Sequence, residues 1–348
     1  MYYNQVMAGE SGREAILYEK LEGGKVKCGL CAHRCAMKEG RRGKCGVREN
    51  RGGTLMSLVY GKLISANVDP IEKKPLFHYK PGSRSFSIAT AGCNFRCLHC
   101  QNYDISQWPH DRPGETLPGE EATPEGVVEA AIGSGSKSIS YTYTEPTIAM
   151  EFYLDTARLA RKRGLGNVFV SNGYMTPESA RMMADVLDAN NIDLKGDEKF
   201  YKDICGAHLE PVKDTIRIMK EAGVWVEVTT LVIPGHNDSD EVLRGIAEFI
   251  ASVDPFIPWH VTRFHPTYKL TTSPVTPVKT LERARQTGKD SGLKYVYEGN
   301  VPGQGGENTY CHNCGELLIE RMGFMISSQR MTESAKCPYC DTTQTGRW

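Results

Sequence analysis

The sequence predicts an α/β fold centred on a partial (β/α)6 TIM-type barrel, flanked by an N-terminal four-cysteine module and a C-terminal zinc ribbon. Short β-branched runs alternate with amphipathic helical stretches from residue 84 to residue 300, which indicates a parallel sheet with helices outside it. Side chains that carry chemistry follow the carboxyl ends of successive runs, as they do in barrel-type sites. Eleven of the twelve cysteines stand in clusters, and each predicted module and the barrel contains such a cluster.

Length and composition set the domain plan. The 348 residues divide into a cysteine-rich metal-binding module (1–55), a linker (56–83), the barrel (84–300) and a zinc-ribbon-like module (301–348). The 42 basic and 42 acidic residues cancel, so no global field attracts nucleic acid or anionic lipid. Residues 1–7 lack a signal-peptide pattern, and no apolar run approaches the roughly 18 residues that span a bilayer. We expect a cytoplasmic protein without membrane contact or a strong nucleic-acid signal, whose clustered cysteines bind metal rather than form disulfides.

The N-terminal cluster comprises Cys28, Cys31, Cys35 and Cys45 in a segment rich in Gly, Lys and Arg. Such a segment buries little apolar area, so a bound metal would supply the missing folding energy. Four thiolates suit a tetrahedral zinc ion and also an auxiliary iron–sulfur cluster, and His33 could replace one sulfur. The spacing leaves these alternatives open.

The linker ends in an unusual stretch, residues 68–83, with paired lysines, a histidine and two aromatic residues between prolines. These side chains could line the mouth of an active site. An exposed structural loop is the interpretation that we favour from the sequence.

The predicted barrel strands are short and β-branched: 86–90, 138–142, 167–171, 190–194, 224–233, 258–264 and 294–298. Thr123 and Thr176 each precede a proline and a glutamate, which is typical of a helix start with a Thr N-cap. Residues 148–163 and 239–253 repeat apolar side chains at helical spacing. Repeated strand–helix units of this kind predict a parallel sheet.

The loop after the first strand holds Cys93, Cys97 and Cys100 at the spacing C-x3-C-x2-C. Three thiolates can hold three irons of a four-iron, four-sulfur cluster, whereas clusters held wholly by protein use four cysteines. The remaining iron can take a small chelating molecule, by the logic of the open position in a catalytic metal site. A zinc loop or three unrelated buried thiols is the alternative.

This spacing resembles that of the radical-SAM superfamily. The resemblance implies a [4Fe-4S] cluster whose open iron binds S-adenosylmethionine (SAM), together with a reductant such as ferredoxin or flavodoxin. One electron cleaves SAM to a 5′-deoxyadenosyl radical, and the protein positions and shields the cofactors. The three cysteines are then both metal ligands and catalytic residues.

Over the whole chain the sequence resembles the radical-SAM member of the AmmeMemoRadiSam system, in a branch related to pyruvate formate-lyase-activating-enzyme-like proteins. The segments that carry this resemblance are residues 69–76, 92–95, 100–102 and 141–147 and the two outer cysteine clusters. It implies AMMECR1-like and Memo-like partner proteins and leaves the substrate open.

The resemblance also implies cofactor-binding residues. Tyr143, Thr144 and Glu145 occupy the place of a segment that grips the methionyl amino group, although its glycines are absent here. His99 stands where the superfamily usually has an aromatic residue, and its flat ring can stack on adenine. The alternative for Glu145 is an ordinary acid at a helix start.

Three more positions resemble segments of glycyl-radical-enzyme activases: Asn172, Asp193 and Lys195. Lys195 could neutralise the substrate or the methionyl carboxylate, or simply pair with an aspartate. His265 resembles a cofactor-contacting histidine of the activases, with a His–Pro turn as the alternative. The activases also have a cation-binding acid at the position of Val170, so a cation site of that kind is not expected here.

Cys205 stands alone, and a lone cysteine is most often a small buried hydrophobe. In a radical enzyme it could instead donate a hydrogen atom in catalysis.

The C-terminal knuckles are Cys311, Cys314, Cys337 and Cys340. Two C-x2-C pairs at this separation predict a structural zinc ribbon.

We therefore interpret the sequence as a radical-SAM enzyme that abstracts hydrogen from an unidentified substrate. An activase that installs a glycyl radical on a partner enzyme is the alternative. RNA modification and a zinc-rich scaffold protein without iron are less favoured interpretations.

Overall fold

The computed structural model describes residues 12–348. Residues 1–11, including the stretch examined for a signal peptide, lie outside the described part. An eight-stranded sheet forms the centre. We label its strands in chain order: β1 (Ser65–Pro70), β2 (Arg84–Ala89), β3 (Ser138–Tyr141), β4 (Gly166–Ser171), β5 (Ala189–Asp193), β6 (Trp225–Val232), β7 (Trp259–Arg263) and β8 (Val296–Gly299).

Strands β2 to β8 are parallel and lie side by side in chain order, with β1 and β8 at the two edges of the sheet. Ser140 of β3 lies opposite Ser87 of β2 on one side and Val168 of β4 on the other. Strand β1 pairs antiparallel with β2. Residues 65–70 of the predicted linker 56–83 thus form a strand of the main sheet.

Six helices connect the parallel strands: α1 (Pro124–Gly133), α2 (Met150–Lys162), α3 (Pro177–Ala184), α4 (Glu210–Glu221), α5 (Asp240–Val253) and α6 (Val278–Asp290). The side chains of Thr123 and Thr176 accept hydrogen bonds from the backbone N–H groups of Gly126 and Ser179, as N-caps do. Six strand–helix units agree with the predicted (β/α)6 plan, the seventh predicted strand is also present as β8, and the structure adds the antiparallel β1.

The stretch after β1 forms an inner layer against the sheet instead of an exposed loop. A 3-10 turn, Ile71–Lys73, leads into it. The backbone N–H groups of Phe77 and His78 donate to the carboxylate of Glu227 in β6 at 3.0 and 2.8 Å. The exposed-loop interpretation is wrong, because Lys74 and residues 76–79 are buried.

Two three-stranded sheets and a two-stranded antiparallel pair form the N-terminal module, and one three-stranded sheet forms the C-terminal module. The N-terminal strands are Arg13–Glu14, Tyr18–Lys20, Val26–Cys28, Ala36–Met37, Arg48–Arg51, Thr54–Ser57 and Lys62–Leu63, the last paired with Glu120–Glu121. The C-terminal strands are Thr309–Tyr310, Leu317–Met322 and Met325–Gln329. The short helices are Glu22–Gly24, Tyr103–Ser106, Trp108–Asp111, Pro146–Ala149, Glu198–Phe200 and the π-turn Tyr201–Cys205. Within the described residues, no helix has the length and apolar character needed to cross a bilayer.

Buried arginines fasten both modules to the barrel. Arg48 of the N-terminal module pairs with Glu151 of α2, with Nη1 and Oε1 2.9 Å apart. Arg321 of the C-terminal module donates from Nη2 to the carbonyl of Phe77 at 3.0 Å and lies 4.3 Å from the centre of that ring. Separating either module from the barrel would leave a buried arginine without its partner, which is costly. Both modules are therefore packed as part of the main domain.

Candidate active site

A cavity of about 490 Å³ opens at the carboxyl ends of the parallel strands, a volume typical of small-molecule sites. The structure brings ten of the predicted site residues to its wall: Cys93, Cys97, His99, Cys100, Tyr143, Thr144, Glu145, Asn172, Asp193 and Lys195. His265 and Cys205 do not line it. The strand-end positions of the ten residues explain why they converge, since the ends of parallel strands share one edge.

The cysteine loop leaves β2 through Gly92, whose φ of +97° is unfavourable for a residue with a side chain. A Cβ at this position would also lie 2.7 Å from the Val47 side chain and 2.9 Å from the carbonyl oxygen of Cys45. Past it, the N–H groups of Arg96 and Leu98 donate to the carbonyls of Cys205 and Ile204 at 2.9 and 3.0 Å. The loop is therefore held on both sides by backbone contacts.

The three thiols of this loop fit an iron–sulfur cluster with one open iron. They line one wall, and no other cysteine among the described residues lines this cavity, since Cys205 contacts Cys97 from behind. Burial, followed by the charge of Glu145, raises the pKa of Cys93 well above its usual value. Hydrogen bonding to Cys205, followed by burial, does the same for the pKa of Cys97. Buried thiols of this kind need a metal to be held as thiolates.

Glu145 connects the segment after β3 to the end of β4. Its Oε1 accepts from the N–H and the hydroxyl of Thr147 at 3.0 and 2.5 Å and from the Ser171 hydroxyl at 2.8 Å. Its Oε2 accepts from the N–H of Asn172 at 2.8 Å. Burial raises the pKa of Glu145 and these donors oppose the rise. The protein itself therefore supplies four donors to the carboxylate that was predicted to grip the methionyl amino group.

Asn172 connects β4 to the cysteine loop. Its Nδ2 donates to Asn94 Oδ1 at 2.7 Å and lies 3.9 Å from the Cys93 sulfur, while its Oδ1 accepts from the N–H of Tyr174 at 3.0 Å. Within the described part of the chain, the buried Nδ2 of Asn94 has no hydrogen-bond partner. Sequence reasoning assigned Asn94 no role, although it follows the first cysteine directly.

Lys195 lies beside the cysteines as a paired cation. Its Nζ is 2.7 Å from Oδ2 of Asp193. Burial alone lowers the pKa of Lys195, but Asp193 and then Cys97 outweigh it and raise the pKa well above the usual value. The amine is therefore charged at neutral pH. Cys205 is fully buried behind Cys97.

The two predicted histidines have different surroundings. The buried ring of His99 faces Phe200 with 5.8 Å between ring centres, and its Nδ1 has no partner among the described residues. Burial, followed by the charges of Lys195 and His236, lowers the pKa of His99 to about 3, so the ring is neutral. His265 is exposed.

The mouth of the cavity contains a charge cluster that sequence reasoning left unassigned. Asp69 accepts from the Nζ atoms of Lys73 and Lys74 at 2.8 and 2.7 Å and from the Tyr143 hydroxyl. Lys74 also lies 4.4 Å from the centre of the Tyr143 ring. The paired lysines between prolines were the feature of the sequence that indicated this cluster. Phe324, from the hairpin of the C-terminal module, reaches the same cavity, and nothing local in the sequence predicts that contact.

We expect Asp69→Asn to flatten the acid limb of the stability curve. Burial alone raises the pKa of Asp69, but Lys73, Lys74 and Tyr143 together hold it below its usual value. A depressed folded-state pKa stabilises the protein above the unfolded value of about 3.9, and this stabilisation is lost as the pH falls further. The measurement is the free energy of unfolding in urea from pH 2 to pH 7. Exposed Asp203→Asn is the control, and an equally steep acid limb in both variants would contradict the assignment.

The outer cysteine clusters lie apart from this cavity. In the C-terminal module the sulfurs of Cys311 and Cys340 are 3.6 Å apart and those of Cys314 and Cys337 3.7 Å apart. The N-terminal cysteines line a separate small cavity. His33 was a candidate to replace one of their sulfurs, but its Nε2 lies 2.9 Å from the carbonyl oxygen of Asn94, in the loop of the main site.

A six-unit partial barrel with a three-cysteine loop at its strand ends defines a class of SAM-dependent iron–sulfur enzymes, and the family comparison agrees. The model of the radical SAM superfamily matches residues 87–246. Residues 87–246 therefore match a radical SAM domain, and that enzymatic family implies a [4Fe-4S] cluster and SAM.

Individual relatives extend the match. An uncharacterized protein of Methanocaldococcus jannaschii, MJ0808, is 50% identical over 330 residues, which are 94% of this chain and 97% of the relative. The pyruvate formate-lyase 1-activating enzyme of Escherichia coli is 22% identical over 237 residues, or 62% of this chain and 93% of the activase. Among solved structures, a radical SAM methyltransferase from Sphaerobacter thermophilus gives a TM-score of 0.48 at 14% identity, covering 67% of this chain and 70% of that one.

Proposed function

We propose that the protein is a radical SAM enzyme that takes hydrogen from an unidentified substrate in the 490 Å³ cavity. Cys93, Cys97 and Cys100 would hold the [4Fe-4S] cluster, and SAM would occupy the adjoining space. When bound, the two cofactors supply a 5′-deoxyadenosyl radical. One observation carries the proposal: Cys93, Cys97 and Cys100, and no other cysteine of the described residues, line one wall of a cavity of cofactor size.

The chain's own residues would position the cofactors. Asn172 holds the cysteine loop through Asn94, and Glu145 fixes the strand ends behind it. The charged Lys195 offers a counter-ion for a carboxylate, and the neutral ring of His99 offers a flat surface for adenine. Thr144 and Tyr143 complete the wall on the β3 side.

Two proposed roles need movement of the chain. Cys205 could donate a hydrogen atom only if the turn at Tyr201–Cys205 shifted, because the thiol lies behind Cys97. His265 could contact the cofactor only if its exposed segment folded over the cavity. We keep both as proposals of lower priority than the ten wall residues.

The test is anaerobic SAM cleavage. The protein would be reduced with dithionite and given SAM, and 5′-deoxyadenosine would be quantified by chromatography. We expect product from the native chain and none from the Cys93→Ala/Cys97→Ala/Cys100→Ala variant, which should also bind about four fewer iron atoms. Circular dichroism would check that the variant is folded. Equal iron content in the two proteins would contradict the proposal.

Glycyl-radical activation is the second candidate. It is supported by the similarity to the Escherichia coli activase, 93% of which is covered by this chain. Asn172, Asp193 and Lys195 are the activase-like positions. The decisive result would be a glycyl-radical signal in electron paramagnetic resonance (EPR) spectra of a partner enzyme. Loss of activity after RNase treatment of a native substrate pool would instead favour RNA modification.

The remaining proposals concern the chain's setting. Zinc in the C-terminal module is supported by the sulfur pairs at 3.6 and 3.7 Å, because tetrahedral Zn–S bonds of about 2.3 Å place sulfurs about 3.8 Å apart.

The sequence alone supports three further proposals: a cytoplasmic location, a reductant such as ferredoxin or flavodoxin, and AMMECR1-like and Memo-like partners. Co-purification from the native cell would test the partners. A scaffold protein would contain zinc alone, without iron or sulfide.

A further inference from the structure

We propose that Cys28, Cys31, Cys35 and Cys45 hold a second iron–sulfur cluster of the four-iron class, and not zinc. This site is separate from the 490 Å³ cavity in which SAM is proposed to bind (the SAM cavity) and shares no lining residue with it. The assignment does not depend on the proposed function. Four cysteines in one module provide a complete set of protein ligands, which such a cluster uses when no small molecule binds it.

The spacing of the sulfurs distinguishes the two outer cysteine sets. The four C-terminal ligand atoms all lie within 4.8 Å of one another, and they form the one set of three or more possible metal ligands this close within residues 12–348. The four N-terminal sulfurs are therefore spread more widely. Since zinc thiolates converge at about 3.8 Å, the wider spread suits a cluster, whose cysteines bind different irons.

The space between the N-terminal cysteines is also too large for a bare metal ion. The four side chains line an enclosed cavity of about 20 Å³, which exceeds the roughly 10–15 Å³ that admits a water molecule. Leu30, Met37 and Ile148 are among its other lining residues and are almost fully buried. Four thiolates that close around one zinc ion leave no such space between them, so the cavity favours a cluster over zinc.

An unpaired donor on the wall points to an anion in this space. Arg48 lines the same cavity and is 2% exposed. Its Nη1 pairs with Glu151 and its Nη2 donates to the carbonyl of Ile16 at 2.9 Å, but within the described part of the chain its buried Nε has no acceptor. Because Glu151 already balances the charge of Arg48, the remaining Nε–H is available for a sulfur-rich anion.

A backbone donor supports the same assignment. The N–H of Lys44 points to the sulfur of Cys35 at 3.4 Å, and hydrogen bonds to sulfur are among the features that set cluster potentials. In the loop that contains Cys93, Cys97 and Cys100 (the SAM loop), the N–H of Phe95 likewise points to the sulfur of Cys93 at 3.4 Å. The two loops thus share a local feature that accompanies cluster ligation.

The test must avoid disturbing the SAM loop, which the segment around Cys45 touches. The Cys45 carbonyl oxygen lies 2.9 Å from the position of a Cβ on Gly92, and Arg96 donates to the carbonyl of Lys44 at 2.5 Å. Cys31 and Cys35 are less buried, so Cys31→Ala/Cys35→Ala is the better variant. Cys314→Ala/Cys340→Ala in the C-terminal module is the matched control.

The measurement is the content of iron, acid-labile sulfide and zinc in the full chain after anaerobic purification and reconstitution. We expect about eight irons and about one zinc in the native protein. The Cys31→Ala/Cys35→Ala variant should lose about four irons and no zinc, and the control variant should lose zinc and no iron. Loss of zinc with unchanged iron from the N-terminal variant, or loss of neither, would overturn the proposal.

The Cys93→Ala/Cys97→Ala/Cys100→Ala variant provides a second measurement if the N-terminal variant fails to fold. Because this variant lacks the cysteines of the SAM loop, it should retain about four irons. After reduction with dithionite it should still show the EPR signal of an iron–sulfur cluster. Zinc in place of that iron would overturn the proposal. Failure of the proposed function would look different, because the SAM-loop variant would then contain as much iron as the native chain.

Discussion

Glu145→Ala is expected to lose SAM cleavage by at least about 100-fold and to lower the free energy of unfolding by about 3–5 kcal/mol. The carboxylate accepts from Thr147, Ser171 and Asn172. Removing it leaves four buried donors without an acceptor, and each hydrogen bond to a charged group contributes about 1.5–3 kcal/mol, although such values do not add. The ends of β3 and β4 would then lose their connection, and with it the position of Asn172, which contacts the cysteine loop through Asn94.

Urea denaturation and the 5′-deoxyadenosine assay check this prediction together. Glu145→Gln should be intermediate, because its amide retains one oxygen and turns an NH2 group toward a donor. Exposed Glu129→Ala is the control and should stay within about 0.5 kcal/mol of the native chain. A stable Glu145→Ala protein with only a raised KM for SAM would contradict the structural role and favour direct contact with the methionyl amino group.

Glu227→Ala is expected to destabilise the fold by about 3–5 kcal/mol. Its carboxylate is fully buried and accepts from the N–H groups of Phe77 and His78. It also accepts from Trp225 Nε1 at 3.0 Å and lies 2.6 Å from His260 Nε2. Burial raises the pKa of Glu227, but His260 and the other partners lower it overall, so the group is ionised at neutral pH.

The urea midpoint of Glu227→Ala at pH 7 measures this loss, with exposed Glu248→Ala as the control. Because the inner layer also borders the SAM cavity through Lys73, Lys74 and Pro75, SAM cleavage should fall along with stability. An unchanged midpoint would show that the inner layer does not depend on this carboxylate.

Local sequence patterns predicted most of the barrel. The Thr-Pro-Glu helix starts, the β-branched runs and the strand-end polar residues each report on their own neighbours, so the parallel strands follow from them. Wall residues such as His99 were instead predicted from the family resemblance. Strand β1 was missed because three of its six residues are exposed, which removes the apolar pattern of a core strand.

Long-range contacts explain the other misses. The burial of Lys74 depends on Asp69 and Tyr143, and no local pattern reveals that Tyr143 comes close. Phe324 reaches the SAM cavity across the sheet edge from a module predicted to be separate. A zinc site and an iron–sulfur cluster at the N-terminal cysteines differ in the distances between the sulfur atoms. The number of residues between the cysteines does not determine those distances.

The contacts of the inner layer determine when this part of the protein can finish folding during synthesis. His78 Nδ1 lies 2.7 Å from the carbonyl oxygen of Thr345, 267 residues downstream, and the N–H of Lys80 donates to the carbonyl of Arg347. N-terminal parts of a chain generally fold first as it is made, but this layer cannot gain its last partners until those distant residues have left the ribosome. The inner layer therefore reaches its final set of contacts only after the last residues of the chain have been made.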